Sequence, residues 1–174
     1  DVYKRQAKYA PLGKGHMTTR ENFQFHHVPL DQCPDGLRLL GSAGLSTREA
    51  CGNVVRNVVG SPTSGVCASE VFDPTPYLAA YVRFAVRHPL TQALPRKFNR
   101  AFTGCDDNDH DAPAIQDLTY VSQIKIENGV EKRGFKVFVA GGTSIMPRLA
   151  KPLYEFLPEE DFLRVALALF TVFN

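Results

Sequence analysis

The sequence predicts an α+β fold, and three observations carry that expectation. Residues 74–89 place Tyr77, Leu78, Ala80, Tyr81, Phe84, Ala85 and Val86 at helical spacing. Residues 118–126 and 134–140 alternate instead, with Phe135, Val137 and Val139 on one face, and Glu127-Asn128-Gly129 offers a hairpin turn between them. Residues 158–173 read as a second long helix, with Glu159, Glu160 and Asp161 in its first turn, where the helix dipole favours acid. The 174 residues suffice for one domain with a real core, or for one and a half small ones.

Taken in order, residues 1–6 share no pattern with the rest of the chain and read as a non-native scar. Residues 8–12 look like the tail of a helix closed by Pro11, Gly13 and Gly15. Residues 16–28 read as one strand, with Thr18, Arg20, Asn22, Gln24 and His26 in register on a polar face. A short helix is expected over 29–41, with Leu37, Leu39 and Leu40 inward. Ser46 or Thr47 is placed to cap another. Val54, Val55, Val58 and Val59 suggest a buried strand, turned by Gly60-Ser61-Pro62. Arg56, set among those valines, needs a partner because an unpaired buried charge is costly; a salt bridge is the simplest one. Pro95 ends the preceding helical reading and lets a strand start at Lys97. On that strand Lys97 and Asn99 share a face and Phe98 points the other way. Residues 105–111 are rich in oxygen ligands but lack the spacing of a calcium loop, so a solvated loop is expected. Gly141-Gly142 comes after a strand and permits close backbone approach. The last helix is apolar on almost every face and stops at Asn174 with nothing after it to bury it, so the natural protein is expected to continue.

Composition excludes several classes. Apolar residues are 44% and charged residues 22%, as in ordinary globular proteins. A net charge of +2, with basic residues scattered rather than striped, does not argue for nucleic acid. No apolar run is long enough for a bilayer span and no leader pattern is present, so no membrane partner and a cytoplasmic setting are the expectation. Cys33, Cys51, Cys67 and Cys105 have no metal- or cluster-binding spacing and read as reduced structural thiols, and no metal ligands are assigned.

Four segments, in this order, resemble the sirohaem-containing nitrite and sulfite reductases: Thr18-Thr19-Arg20-Glu21-Asn22-Phe23-Gln24-Phe25-His26; Asn53-Val54-Val55-Arg56-Asn57-Val58-Val59-Gly60-Ser61-Pro62; Leu94-Pro95-Arg96-Lys97-Phe98-Asn99; and Gly141-Gly142-Thr143-Ser144. The resemblance runs from about Lys8 to the end. It implies part of a ferredoxin-like half domain over 1–43, then an incomplete mixed α/β sirohaem-binding domain over 44–174. It implies contacts from Thr18, Arg20, Gln24 and His26 to the sirohaem carboxylates, and from Arg96 to another. Arg56 and Lys97 would hold the substrate and supply protons. Asn57 and the Gly141, Gly142 and Ser144 loop would lie near the haem.

The implied reaction is six-electron reduction of nitrite to ammonia, or of sulfite to sulfide, with reduced ferredoxin or a flavoprotein as donor. Asn99 stands where sulfite-reducing members usually carry a second lysine, which favours nitrite, the smaller monoanion. The paired cysteine motifs (C-x5-C, then C-x3-C) that hold a 4Fe–4S cluster in the family are absent here, as is an arginine expected on a strand before residue 7. The chain by itself is therefore expected to be inactive. A non-catalytic sirohaem- or anion-binding module is the reading from another class. An unrelated RNA- or anion-binding α+β domain would rest only on the sequence pI of 8.4 and scattered arginines.

Overall fold

The computed structural model describes residues 7–105 and 112–174. The expected scar at 1–6 lies outside the described residues, as do residues 106–111 of the oxygen-rich loop. Backbone contacts divide the chain into two units, Asp1–Ala50 and Cys51–Asn174.

In the first unit a 3-10 turn, Ala7–Tyr9, precedes a small antiparallel pair, β1 (His16–Met17) and β2 (Phe23–Gln24). This corrects the single strand expected over 16–28. The Thr18 N–H donates to the Asn22 carbonyl at 2.9 Å, and the Thr18 hydroxyl oxygen accepts the Asn22 N–H at 3.2 Å. Glu21 sits at φ 59° between them. Such short side-chain bonds offer the backbone a turn in place of a ladder. The polar residues from Thr18 to His26 therefore do not form one continuous strand face. Next comes helix α1 (Cys33–Gly41), with Pro34 in its first turn, where a missing N–H is harmless. Leu40 is buried in α1, but Leu37, expected inward, is 51% exposed. The helix expected after Ser46 is a turn. The Ala50 N–H reaches the Thr47 carbonyl, and the Ser46 hydroxyl takes the Arg48 N–H. Glu49 lies between them at φ 56°, a conformation no helix continues.

The second unit is a five-stranded mixed sheet with two helices. Its elements are β3 (Val55–Gly60), α2 (Thr75–Ala85), β4 (Phe98–Thr103), β5 (Leu118–Glu127), β6 (Val130–Val139), β7 (Lys151–Pro158) and α3 (Phe162–Phe173). Strand order follows the chain: β3 and β5 each pair parallel with β4, and β6 pairs antiparallel with β5 and β7. Asn128 at φ 53° and Gly129 at φ 78° make the two-residue hairpin turn that Asn-Gly favours, because both central positions need positive φ.

One sheet face carries the core. Phe98 and Phe102 from β4, Tyr120 from β5 and Phe135 from β6 pack against Tyr81 of α2 and against Phe162 and Phe170 of α3. Phe102 stacks on Tyr120 at 4.8 Å, and Phe98 meets Phe170 edge-on at 5.8 Å. Each such pair adds about 0.5–1.5 kcal/mol beyond its buried area. The Tyr120 hydroxyl donates to the Phe162 carbonyl at 2.9 Å, which satisfies the one polar atom that ring buries. In α3, Phe162, Ala166 and Phe170 form a buried stripe at four-residue spacing. Leu167 and Val172 are 37% and 86% exposed, so the described residues cover α3 on one side rather than all round. Glu159, Glu160 and Asp161 form a separate 3-10 turn ahead of α3, and Glu159 accepts a hydrogen bond from the Tyr77 hydroxyl.

Arg100 lies between Phe98 and Phe102 on the core face of β4 and has no exposed surface. Its guanidinium sits over the rings of Phe98 and Tyr81, at 4.9 and 5.8 Å from their centroids. None of its nitrogens reaches hydrogen-bond geometry with an acceptor among the described residues. Burial pulls its pKa below the usual arginine range, opposed by the nearby Tyr81 oxygen and by Asp117. Arg100→Met keeps most of the side-chain volume and removes a desolvated charge. It should raise the unfolding free energy by about 1–4 kcal/mol in a denaturant titration. A clear loss would show that the ring contacts outweigh desolvation. Gly134→Ala should act oppositely, because a Cβ there would collide with the Leu157 carbonyl oxygen and the Phe156 ring. A loss of about 1–3 kcal/mol is expected in the same titration.

Candidate functional site

The site residues of the second unit gather where β3 and β4 begin. Val55 pairs with Phe98 across the two strands, and both are buried. Lys97 and Asn99 flank Phe98, so they leave the face opposite the aromatic core. Upstream the two segments are tied together. The Leu94 N–H donates to the Asn53 carbonyl at 2.9 Å, and the Asn53 carboxamide donates to the Pro95 carbonyl at 3.3 Å.

Arg56 follows Val55 at the start of an irregular register between Val55 and Val58. Its Nε donates to the Gly52 carbonyl at 3.0 Å, so the partner is a backbone oxygen rather than the expected carboxylate. Asn57 is half-buried beside Arg56. Arg96 and Lys97 are exposed just ahead of β4. Asn99 is half-buried, and its carboxamide oxygen is enclosed without a hydrogen-bond donor among the described residues. A backbone carbonyl or N–H with no partner costs free energy, and so does a side-chain amide.

Asp117 is the residue that sequence reasoning missed. Its Oδ2 accepts the Asn99 N–H at 2.6 Å, a charge-assisted bond that sets the entry of β4 beside β5. The sequence signal was slight: an acid one residue before an apolar strand. The same corner receives the glycine loop. The Ala140 N–H donates to the Asp117 carbonyl, and the Gly141 N–H donates to the Gln116 carbonyl at 2.9 Å. A Cβ on Gly141 would lie 2.6 Å from the Gln116 oxygen, so its bare Cα serves close packing against its own chain. Gly142 has open space instead and pairs with Arg148 in an isolated bridge, and Ser144 is exposed. Arg56, Asn57, Arg96, Lys97, Asn99 and Gly141 thus share one end of the sheet.

Thr18, Arg20, Gln24 and His26 belong to the first unit, on and around its hairpin. Thr18 holds the turn, and the Arg20 carbonyl accepts the Asn22 carboxamide at 2.8 Å. Gln24 stands opposite His16 in β1, and the His26 ring lies 5.8 Å from the His16 ring and 6.3 Å from the His27 ring. His16 and His27 carry no role in the sequence reading, yet the hairpin brings all three imidazoles together.

The chemistry of the described residues does not suit an iron–sulfur cluster. All four cysteines are thiols, and no group of three or more His, Cys, Asp or Glu among the described residues could hold a metal ion. For a polycarboxylate macrocycle the fit is better: exposed Arg96 and Lys97, the half-buried Arg56 and the open side of Gly142 all stand at the same sheet end.

A family model described as the nitrite and sulphite reductase 4Fe-4S domain matches residues 51–174. The chain belongs to the nitrite and sulphite reductase family. It is 35% identical over 145 residues to "Sulfite reductase [ferredoxin] 1" of Mycolicibacterium paratuberculosis, covering 83% of this chain and 25% of that protein. It is 34% identical over 173 residues to "Ferredoxin--nitrite reductase" of Leptolyngbya laminosa, covering 96% of this chain and 33% of that protein. Among solved structures, the NirA protein of Mycobacterium tuberculosis superimposes with a TM-score of 0.86 at 31% identity, over 99% of this chain and 30% of that one. The chain thus spans a quarter to a third of the length of these relatives. No helix among the described residues is long and apolar enough to cross a membrane.

Asp117→Ala would leave the Asn99 N–H without its charged acceptor. We expect a loss of about 1.5–3 kcal/mol in unfolding free energy, partly restored by Asp117→Asn, which keeps an oxygen acceptor. Equal losses in the two variants would show that the carboxylate acts through something other than this bond.

Proposed function

We propose that this chain is part of a sirohaem-dependent reductase that converts nitrite to ammonia, with electrons from reduced ferredoxin through a 4Fe–4S cluster held elsewhere in the protein. The observation that carries the reading is the pairing of Val55 with Phe98, which sets Arg56 beside Lys97 and Asn99 at one sheet end. Sirohaem, when bound, would supply the iron that carries the substrate and passes electrons to it.

This chain's own residues do the electrostatic work. Arg56 supplies a planar guanidinium held at Nε by the Gly52 carbonyl, and its two terminal nitrogens would serve an anion's oxygens. Lys97 adds an ammonium that can release a proton to an oxygen as its bond to nitrogen breaks. Such groups gain strength as water leaves the pocket. Arg96 would pair with a carboxylate of the macrocycle, with Asn57, Gly142 and Ser144 near its edge. Gly141 would support that edge indirectly, by closing the loop onto Gln116. Thr18, Arg20, Gln24 and His26 would meet further carboxylates.

Asn99 supports nitrite. A carboxamide there leaves the grip with one fewer cation than a second lysine would give, which suits a monoanion better than sulfite. Sulfite reduction is the second reading, because relatives named as sulfite reductases and as nitrite reductases are similar at nearly equal identity. A cytoplasmic setting belongs to the same proposal.

The test uses the full-length protein with both cofactors loaded and one reduced artificial donor. The unsubstituted enzyme should turn over nitrite faster than sulfite, and Asn99→Lys should shift the ratio of kcat/KM values toward sulfite by about tenfold, the effect of about 1.4 kcal/mol of differential binding. An unchanged ratio would remove Asn99 as the selector. Faster sulfite turnover by the unsubstituted enzyme would favour the second reading.

A further inference from the structure

We propose that Cys67 and Cys105 form a reversible thiol-modification site, closing to an intramolecular disulfide when a hydroperoxide is the oxidant. The backbone brings the two together. The Glu70 N–H donates to the Cys67 carbonyl at 3.2 Å, making a turn that folds Cys67 back over Glu70. Glu70 in turn forms an antiparallel bridge with Cys105, and the Val71 N–H donates to the Gly104 carbonyl at 2.8 Å. The Cys105 thiol consequently has both the Cys67 thiol and the Ser69 hydroxyl within hydrogen-bonding contact. Cys67 Sγ lies 3.2 Å from Ser69 Oγ, on the chain that the Glu70 bridge sets against Cys105.

The surrounding loop is fixed rather than slack. The Glu70 carboxylate accepts the Ser64 hydroxyl at 2.9 Å and the Gly65 N–H at 2.6 Å. Behind Gly104 there is no space for even a Cβ, with Glu70 and the Phe72 carbonyl at 2.8 Å. A thiol pair held in such a frame meets at high effective concentration.

The two cysteines differ in access. Cys105 is 1% exposed, and burial together with the Cys67 thiol pushes its pKa up to about 11. Cys67 is half-buried and meets an oxidant first. Its thiolate attacks the peroxide oxygen. The O–O bond breaks, Cys67 becomes a sulfenic acid, and the other oxygen leaves as hydroxide or alkoxide. The Cys105 sulfur then displaces the sulfenic oxygen. An S–S bond forms, the S–O bond breaks, and water leaves carrying the Cys105 proton. The two sulfurs give up two electrons in all, and the peroxide takes both. Cys33, whose thiol donates to the Pro29 carbonyl at 3.4 Å, and exposed Cys51 take no part.

The site sits at the far end of β4 from Lys97 and Asn99, so its test needs no turnover. The full chain would be treated with dilute hydrogen peroxide, unfolded, alkylated and digested for mass spectrometry. The expected result is loss of alkylation at Cys67 and Cys105 together, a cross-linked peptide joining them that is two hydrogens lighter, and recovery of both labels with dithiothreitol. In Cys67→Ser, Cys105 should stay fully alkylated after the same treatment. The proposal is overturned if Cys67 advances to sulfinic acid while Cys105 remains a thiol, if either pairs instead with Cys33 or Cys51, or if both keep their labels.

Discussion

The site depends on where Phe98 points. Its ring is clamped between Phe170 and Phe173 of α3, with the Arg100 guanidinium against it. Because side chains alternate along a strand, burying this ring sends Lys97 and Asn99 to the other face. A one-residue slip of β4 would place the lysine in the aromatic core and the phenylalanine at the proposed anion grip. Two interactions guard against that slip. Asp117 pins the Asn99 N–H, and the Asn53 bonds hold the segments before β3 and β4 side by side. The core and the site are thus two faces of one constraint.

Arg100 runs against that economy. A cation enclosed by aromatic rings, with no hydrogen-bond acceptor in geometry among the described residues, is costly in a core otherwise filled by Phe, Tyr, Leu and Val. The ring faces compensate in part, since a guanidinium over an aromatic face gains more when water is absent. The position lies directly behind the proposed grip, one residue past Asn99, so its charge adds to the positive field at that sheet end.

Much of this was legible in the sequence. The helix over 75–85, the Asn-Gly hairpin and the opposed faces of Lys97 and Phe98 followed from periodicity and turn chemistry alone. Other features were hidden for physical reasons. The strand β7 was missed because Pro152 breaks its pattern; proline is tolerated there because β7 is an edge strand and its register is irregular at Val137 and Phe138. The β-favouring composition of 16–28 masked a turn made by two small polar side chains, Thr18 and Asn22. The last helix read as apolar all round, but periodicity cannot say how much of a surface the neighbouring elements cover. Asp117 escaped because its role is a contact to the backbone of another strand, and no local pattern encodes that. Arg56 was rightly expected to have a partner, yet the sequence could not say that a carbonyl four residues back would serve.

The mixed topology has a consequence for the order in which the sheet assembles. The β5–β6 hairpin is local: ten cross-strand pairs close around a two-residue turn. The β3–β4 pair is parallel, and all of α2 must be threaded between its two strands. Loop-closure entropy weighs on that pairing before any contact rewards it. The hairpin is therefore the pairing with the lowest entropic barrier, and the strands bearing Arg56, Lys97 and Asn99 pair at a higher one. Closing the cationic end of the sheet therefore carries a larger loop-entropy cost than closing the hairpin beside it.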